Sequence, residues 1–201
     1  LKAFEHSPVD EVILVTGEDE IEYCRRYIVE KYQFHKVTRI VAGGNERYAS
    51  VYHGPKAVNQ ADYVLIHDGA RPMINHEMIK DCILNVMKYR ACVVGMPSKD
   101  TIKVVDENNY AIHTPDRKTL WQVQTPQCFE YNLAMDSYEK LMESGATNAT
   151  DDAMVVETYG KVPVKLIEGG YDNIKITTPE DVKIAGSLMK ARKVLRVLHR
   201  I

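Results

Sequence analysis

Three charged side chains stand where this chain could hold a ligand. Asp68 and Arg71 belong to His67-Asp68-Gly69-Ala70-Arg71-Pro72, which follows the apolar run Tyr63-Val64-Leu65-Ile66. Lys175 is centred in Asp172-Asn173-Ile174-Lys175-Ile176-Thr177, just ahead of a helix start. A carboxylate at the end of a buried strand can hold a metal or a hydroxyl. A glycine beside it lets a ligand approach the backbone, and an arginine fork matches the oxygens of a phosphate. In open α/β sheets the crevice past the carboxyl ends of the strands is where ligands sit. Gly43-Gly44-Asn45-Glu46-Arg47 offers a second such place, because backbone N–H groups between a strand and a helix can hold an anion or a base edge. Taken singly, each has a plain structural reading. Asp68 to Pro72 would do as an ordinary turn, Gly43-Gly44 as a strand-to-helix connection, Thr150-Asp151-Asp152 as a helix cap, and Arg117 as a solvated charge.

The elements that must position these residues follow from periodicity. Glu11 to Gly17, Val37 to Val41, Asp62 to Ile66 and Ala91 to Met96 are short apolar runs that predict strands, the third of them buried on both faces in a parallel sheet. Between them, residues 18–33 carry Ile21, Cys24, Tyr27 and Ile28 at helical spacing, and a helix is expected from about Glu46. Met78, Ile79, Ile83, Val86 and Met87 mark another helix. Such β-α alternation with short connections predicts an α/β fold, a mainly parallel sheet with helices on both faces.

From about 98 to 119 the pattern changes to a hairpin: Thr101 to Val105 and Ala111 to His113 flank the turn-prone Asp106-Glu107-Asn108-Asn109. A hairpin off such a core must cover its apolar residues, and a second subunit is the economical cover. Leu120 to Phe129 returns to the core, helices are expected near 131–144 and 150–159, and Val162 to Ile167 and Asn173 to Ile176 are expected strands. Thr178-Pro179-Glu180-Asp181 opens a last helix that runs to the C-terminus with Lys and Arg gathering in its final turns.

Composition bounds the rest. The 201 residues, 45% of them apolar, suit one domain with a real core. Twenty-six basic against 28 acidic residues leave a formal charge of -2, which gives no reason to expect nucleic acid or an anionic membrane as partner. No apolar run approaches the roughly 20 residues of a membrane span. Cys24, Cys82, Cys92 and Cys128 lack paired metal-ligand spacing and read as reduced thiols, which predicts a cytoplasmic protein.

The motifs gain meaning from their order. The segments containing Gly43-Gly44-Asn45-Glu46-Arg47 with Ser50-Val51, His67 to Pro72, Lys99 to Lys103, Leu120-Trp121 with Gln124-Thr125-Pro126-Gln127, Thr150-Asp151-Asp152-Ala153 and Asn173 to Asp181 follow one another along the whole chain. In that order they closely resemble the 2-C-methyl-D-erythritol 4-phosphate cytidylyltransferase family, of nucleotidyltransferase fold. The resemblance implies transfer of CMP from CTP to a polyol phosphate, with Mg²⁺ as the divalent cation on the triphosphate. It implies that Gly44, Asn45, Ser50 and the Gly69 backbone meet the cytidine. Asp68, Arg71, Thr125, Thr150 and Lys175 would line the sugar-phosphate site, with Lys175 and Asp68 as catalytic groups and Asp68 as the metal candidate. Thr101 and Arg117 would reach the other subunit's site, since the family's hairpin arm crosses a homodimer.

One departure is large. The family opens with a strand and a glycine-rich loop, carrying an arginine and a Pro-Lys-Gln segment, that wraps the triphosphate. The chain begins at Leu1-Lys2-Ala3-Phe4, read as the end of the helix after that loop, so the loop is expected ahead of Leu1. Two alternatives stay open on the residues alone: a ribitol 5-phosphate cytidylyltransferase, and an inactive dimeric paralogue.

Overall fold

Alternation along Ala91–Pro97 sets the centre of the molecule. Ala91 and Val93 pack on one face, Cys92 and Val94 on the other, all nearly inaccessible to solvent. A strand buried on both sides needs a helical layer over each face. One layer brings Ile79, Cys82 and Val86 against Cys92, Val94 and Cys128; the other brings Leu133, Ala134, Ala153 and Val156 against Ala91, Val93 and Phe129.

The computed structural model describes residues 1–198, with side chains described through Arg192. In chain order the elements are α1 (Lys2–Glu5), β1 (Val12–Thr16), α2 (Ile21–Cys24), β2 (Val37–Ala42), α3 (Arg47–Lys56), β3 (Tyr63–Ile66), α4 (His76–Tyr89) and β4 (Ala91–Pro97). There follow β5 (Val104–Val105), β6 (Ala111–His113), β7 (Trp121–Glu130), α5 (Tyr131–Ser144), α6 (Asp152–Val155), β8 (Lys165–Glu168) and α7 (Pro179–Leu198). β1 pairs with β2 in parallel, and a second sheet has the order β3-β7-β4-β8. In that sheet β8 runs parallel to β4, while β7 runs against both β3 and β4. Three of its four strands therefore share one direction. The mixed α/β architecture expected from the alternation is present.

Several local expectations need correction. β3 is half-buried, and its described partner is the antiparallel β7, not a parallel neighbour. Its other edge and β1 line a common groove of about 950 Å³, walled by residues such as Ile13, Val15, Val64 and Ile66. Over residues 18–30 the chain is helical with changing pitch, and of the four positions expected to face inward only Cys24 is buried; Tyr27 is 56% exposed. Met87, expected on the inner face of α4, is exposed. Asn173 to Ile176 forms no strand; one bond, Ile176 N–H to the Ala70 carbonyl at 2.8 Å, holds it beside the Asp68 loop.

The hairpin is present. β5 and β6 pair antiparallel, and Asp106 accepts from the N–H groups of Asn108 and Tyr110 to close the turn. α7 opens as its sequence predicts: Asp181 accepts from the N–H groups of Thr177 and Thr178, and Thr178 Oγ1 accepts from Asp181 N–H. The basic side chains expected in its final turns beyond Arg192 lie outside the described residues. Among the described residues no helix is long and apolar enough to cross a membrane.

Candidate active site

Asp68 sits just past β3, and three cations from three separate segments surround it. Lys175 Nζ lies 3.0 Å from Oδ2, Arg71 Nε 3.8 Å from Oδ2, and Arg47 Nη2 3.6 Å from Oδ1. Burial would raise the carboxyl's pKa, but Lys175, Arg47 and Arg71 outweigh it and hold the group below its ordinary value. Asp68 is thus ionised at neutral pH. Three cations thus converge on one carboxylate from separate segments, a donor set that could turn to phosphate oxygens.

Each cation is braced. Arg71 donates to the Asn173 carbonyl at 2.8 Å. Asn173 itself is fully buried, and its amide donates to the Thr125 carbonyl at 2.9 Å and to Gln124 Oε1 at 3.2 Å. The segment carrying Lys175 is therefore tied to β7 without belonging to the sheet. Arg47 donates to both oxygens of Asp152, each at 2.8 Å. Gln127 on β7 in turn accepts from Ala153 N–H at 2.8 Å and donates to Asp151 at 3.2 Å, fixing the first turn of α6.

His67 completes the floor. Thr125 Oγ1 accepts from the Asp68 N–H at 3.1 Å and lies 3.0 Å from His67 Nδ1, while Nε2 lies 3.1 Å from the Arg71 carbonyl. A carbonyl can only accept, so Nε2 carries the proton and Nδ1 accepts from the threonine hydroxyl. Burial pushes the imidazole down to about 4, so it is neutral at physiological pH. His67 is a structural clamp on the loop that carries Asp68 and Arg71.

Two hollows meet here. One, of about 380 Å³, is lined by Asp68, Arg71, Thr125, Thr150 and Lys175 among others, so the five residues expected to share a sugar-phosphate site do converge. The other is the end of the groove beside β1, where Gly44, Asn45, Ser50 and Gly69 lie. Its shape explains the paired glycines. A Cβ on Gly44 would stand 2.5 Å from the Ala49 side chain, and one on Gly43 would stand 2.7 Å from Ser50 Oγ. Ser50 Oγ accepts from Gly44 N–H at 3.0 Å, fastening the loop to α3. Gly69 has open space where its Cβ would be, so only a visitor would crowd it.

Thr101 and Arg117 are not brought to this site. Both are exposed on the hairpin segment, and Arg117 donates to the Lys99 carbonyl at 3.1 Å. Sequence reasoning also passed over Arg47, Asp152, His67 and Asn173 as members of the site. Only for Arg47 was there a signal, its place at the helix start beside Gly43-Gly44. Among the described residues no group of three His, Cys, Asp or Glu side chains could hold a metal ion. Asp68 faces cations on both oxygens. That fits an ion arriving on a phosphate chain, not one caged by the protein.

A mixed α/β sheet with cations gathered at its strand ends is the architecture of nucleotidyltransferase-type enzymes. The chain belongs to the 2-C-methyl-D-erythritol 4-phosphate cytidylyltransferase (IspD) family, whose model matches residues 1–191. A Lachnospira eligens protein named 2-C-methyl-D-erythritol 4-phosphate cytidylyltransferase is 53% identical over 192 residues, covering 94% of this chain and 84% of its own length. A namesake from Alkaliphilus oremlandii is 48% identical, covering 96% and 82%. Among solved structures, 4-diphosphocytidyl-2C-methyl-D-erythritol synthase of Anaerococcus prevotii superposes with a TM-score of 0.85 at 35% identity, covering 94% of this chain and 83% of its own. The Thermus thermophilus cytidylyltransferase gives 0.74 at 26% identity, covering 94% and 85%.

Proposed function

We infer that the protein transfers CMP from CTP to 2-C-methyl-D-erythritol 4-phosphate and releases pyrophosphate, a step of non-mevalonate isoprenoid precursor synthesis. The observation that carries this reading is the convergence of Arg47, Arg71 and Lys175 on Asp68 at the meeting of two hollows, in a chain of this family. The larger hollow takes the nucleotide at Gly44, Asn45, Ser50 and Gly69; the smaller takes the polyol phosphate at Arg71, Thr125, Thr150 and Lys175.

The acceptor phosphate is already ionised near neutral pH, so no general base is needed. One of its oxygens bonds to the α-phosphorus of CTP. The bond from that phosphorus to the bridging oxygen breaks, and the electron pair leaves on pyrophosphate. Such a displacement is accelerated mainly by positioning and by fixed cations where negative charge builds. Lys175 supplies one such charge, and Asp68 holds it in place. Asp68 is the residue that would meet a magnesium ion brought by the triphosphate, an ion that would supply further neutralisation of the phosphate charge. The groove between β1 and β3 offers a seat to a strand and triphosphate-wrapping loop ahead of Leu1 where the full protein has them.

The domain is a single unit, and the segment from about 98 to 119 is a dimerisation arm. Ile102, Tyr110 and Ile112 are 41%, 74% and 64% exposed on a hairpin with little else to cover them. Docked on a second copy, the arm carries Thr101 and Arg117 to the partner's polyol-phosphate site. A pyrophosphate-release assay on the full-length protein tests the reaction, with methylerythritol phosphate and ribitol 5-phosphate offered separately. Turnover with the first is expected; preference for ribitol 5-phosphate, or no turnover with either, overturns the assignment.

A further inference from the structure

Arg47 and Asp68 are the two residues that line both hollows. The new phosphorus–oxygen bond must form where the hollows meet, so whatever walls that junction faces the reacting group. Asp68 is an anion and would repel it; Arg47 is the cation there. Its side chain is 35% exposed, so it is neither a solvated surface charge nor a sealed core pair.

The way it is held is unusual for a site residue. Asp152, which takes two of its N–H groups, has no exposed side-chain surface. Asp152 accepts a third bond from Tyr138, whose hydroxyl donates to Oδ1 at 2.5 Å from a residue only 2% exposed. A guanidinium has five N–H donors, and two are spent on Asp152. A buried charge pair is a costly way to hold a helix start, and an apolar pair would often do as well. Its clear product here is an arginine fixed through both terminal nitrogens that still lines both hollows. Asp152 also raises the guanidinium's pKa, so the charge persists at any working pH.

Resting on the reading of function above, we propose that Arg47 is a further catalytic residue, binding the phosphoryl oxygens in flight, and that Asp152 and Tyr138 are positioning residues that aim it. Two features separate this from a structural pair. Lysine cannot reproduce the two-point grip, so Arg47→Lys keeps the charge but not its direction. Tyr138→Phe leaves the ring and removes only the hydroxyl that orients Asp152.

The test compares kcat, KM and melting temperature of the full-length protein and three variants, with pyrophosphate release as the assay. Arg47→Lys should lower kcat by about 100-fold with KM for CTP changed less than about threefold, the signature of an interaction made in the transition state. Tyr138→Phe should lower kcat by about three- to tenfold, again with little change in KM. Each single variant leaves the buried Asp152 short of a hydrogen bond and can destabilise the fold, so the deciding variant is the pair Arg47→Gln with Asp152→Asn, which removes both charges at similar volume. It should remain folded and still lose about 100-fold in kcat. A double variant, folded or not melting earlier, that returns within about threefold of wild-type turnover shows Arg47 to be structural and overturns the proposal. So does a double variant whose loss lies wholly in stability and vanishes when assayed well below its melting temperature. An inactive wild-type enzyme instead overturns the reading of function, and this inference with it; an active wild type with an active double variant overturns this inference alone.

Discussion

The loop at Asp68 and the arm at 98–119 carry the two halves of the expected polyol-phosphate site in opposite ways. Around Asp68 both arginines are braced by a buried partner, Arg47 by Asp152 and Arg71 by the Asn173 carbonyl, and the loop itself by His67 and Thr125. Thr101 and Arg117 have almost nothing behind them, on a two-stranded ribbon whose apolar residues face outward. A two-stranded ribbon alone is marginal in water. The difference teaches where preorganisation comes from. One set of residues is aimed by its own core, and the other waits to be aimed by contact with a second surface.

The largest effect is expected on the braced side. Lys175→Ala should cut turnover by about 100- to 1,000-fold while the KM for CTP moves little, since its charge acts where negative charge develops. Unchanged turnover would remove Lys175 from the catalytic groups. On the unbraced side Arg117→Ala should cost about 100-fold in activity and under about 0.5 kcal/mol of stability, because it leaves no buried group unpaired.

Mixing Arg117→Ala with Lys175→Ala chains then sharpens the contrast. If Arg117 serves the partner's site, a mixed dimer gathers both lesions in one site and leaves the other intact. With half the dimers mixed and one good site in each, activity should return to about a quarter of wild type. No recovery despite proven subunit exchange would place Arg117 in its own subunit's site.

A smaller effect tests the clamp. His67 titrates near 4 when folded and near 6.5 when unfolded. Above about 6.5 both states hold it neutral and stability is full. Between there and about 4 the unfolded chain binds the proton first, so stability falls as pH falls, by about 2.5 kcal/mol near pH 4.5. The groups facing it, Asp68 and Arg71, keep their charges through most of that window. Denaturant midpoints from pH 7 to 4.5 should flatten in His67→Gln, and an equal slope in both proteins would exclude the histidine as the cause. Smallest of all, Thr101→Ala should lower turnover about three- to tenfold with no measurable change in the melting temperature.

Much of this was legible in the residues. The strand runs, the helix of α4, the hairpin and the cap of α7 each follow from a period or a turn signal that local physics enforces. The grouping of Asp68, Arg71, Thr125, Thr150 and Lys175 came from the ordered motifs, and the fold does gather them. What could not be read was long-range. Nothing in Tyr63 to Ile66 says that its neighbour is β7, running the other way. Asp152 follows Asp151 in a helix's first turn, where either could be the cap. Asp151 does cap, accepting from Met154 N–H at 2.9 Å, and Asp152 turns inward to Arg47, 105 residues away in sequence. Asn173 reads as part of a strand because buried amides leave no periodic trace. Tyr27 has helical spacing but faces solvent, since a period identifies a face without identifying what covers it.

The cysteines give the core a clock. Cys82, Cys92 and Cys128 come from α4, β4 and β7 and have no exposed surface; Cys92 and Cys128 stand opposite each other across the two strands. Burial, with the neighbouring Cys82 and Cys92 thiols, pushes the Cys128 thiol well up, and only a thiolate attacks a disulfide reagent. These three thiols, unlike Cys24 on α2, should therefore be nearly silent to such a reagent in the folded protein. Each thiol will be counted only when the sheet parts from α4, so the labelling rate of an unmodified sample reads how often this core opens.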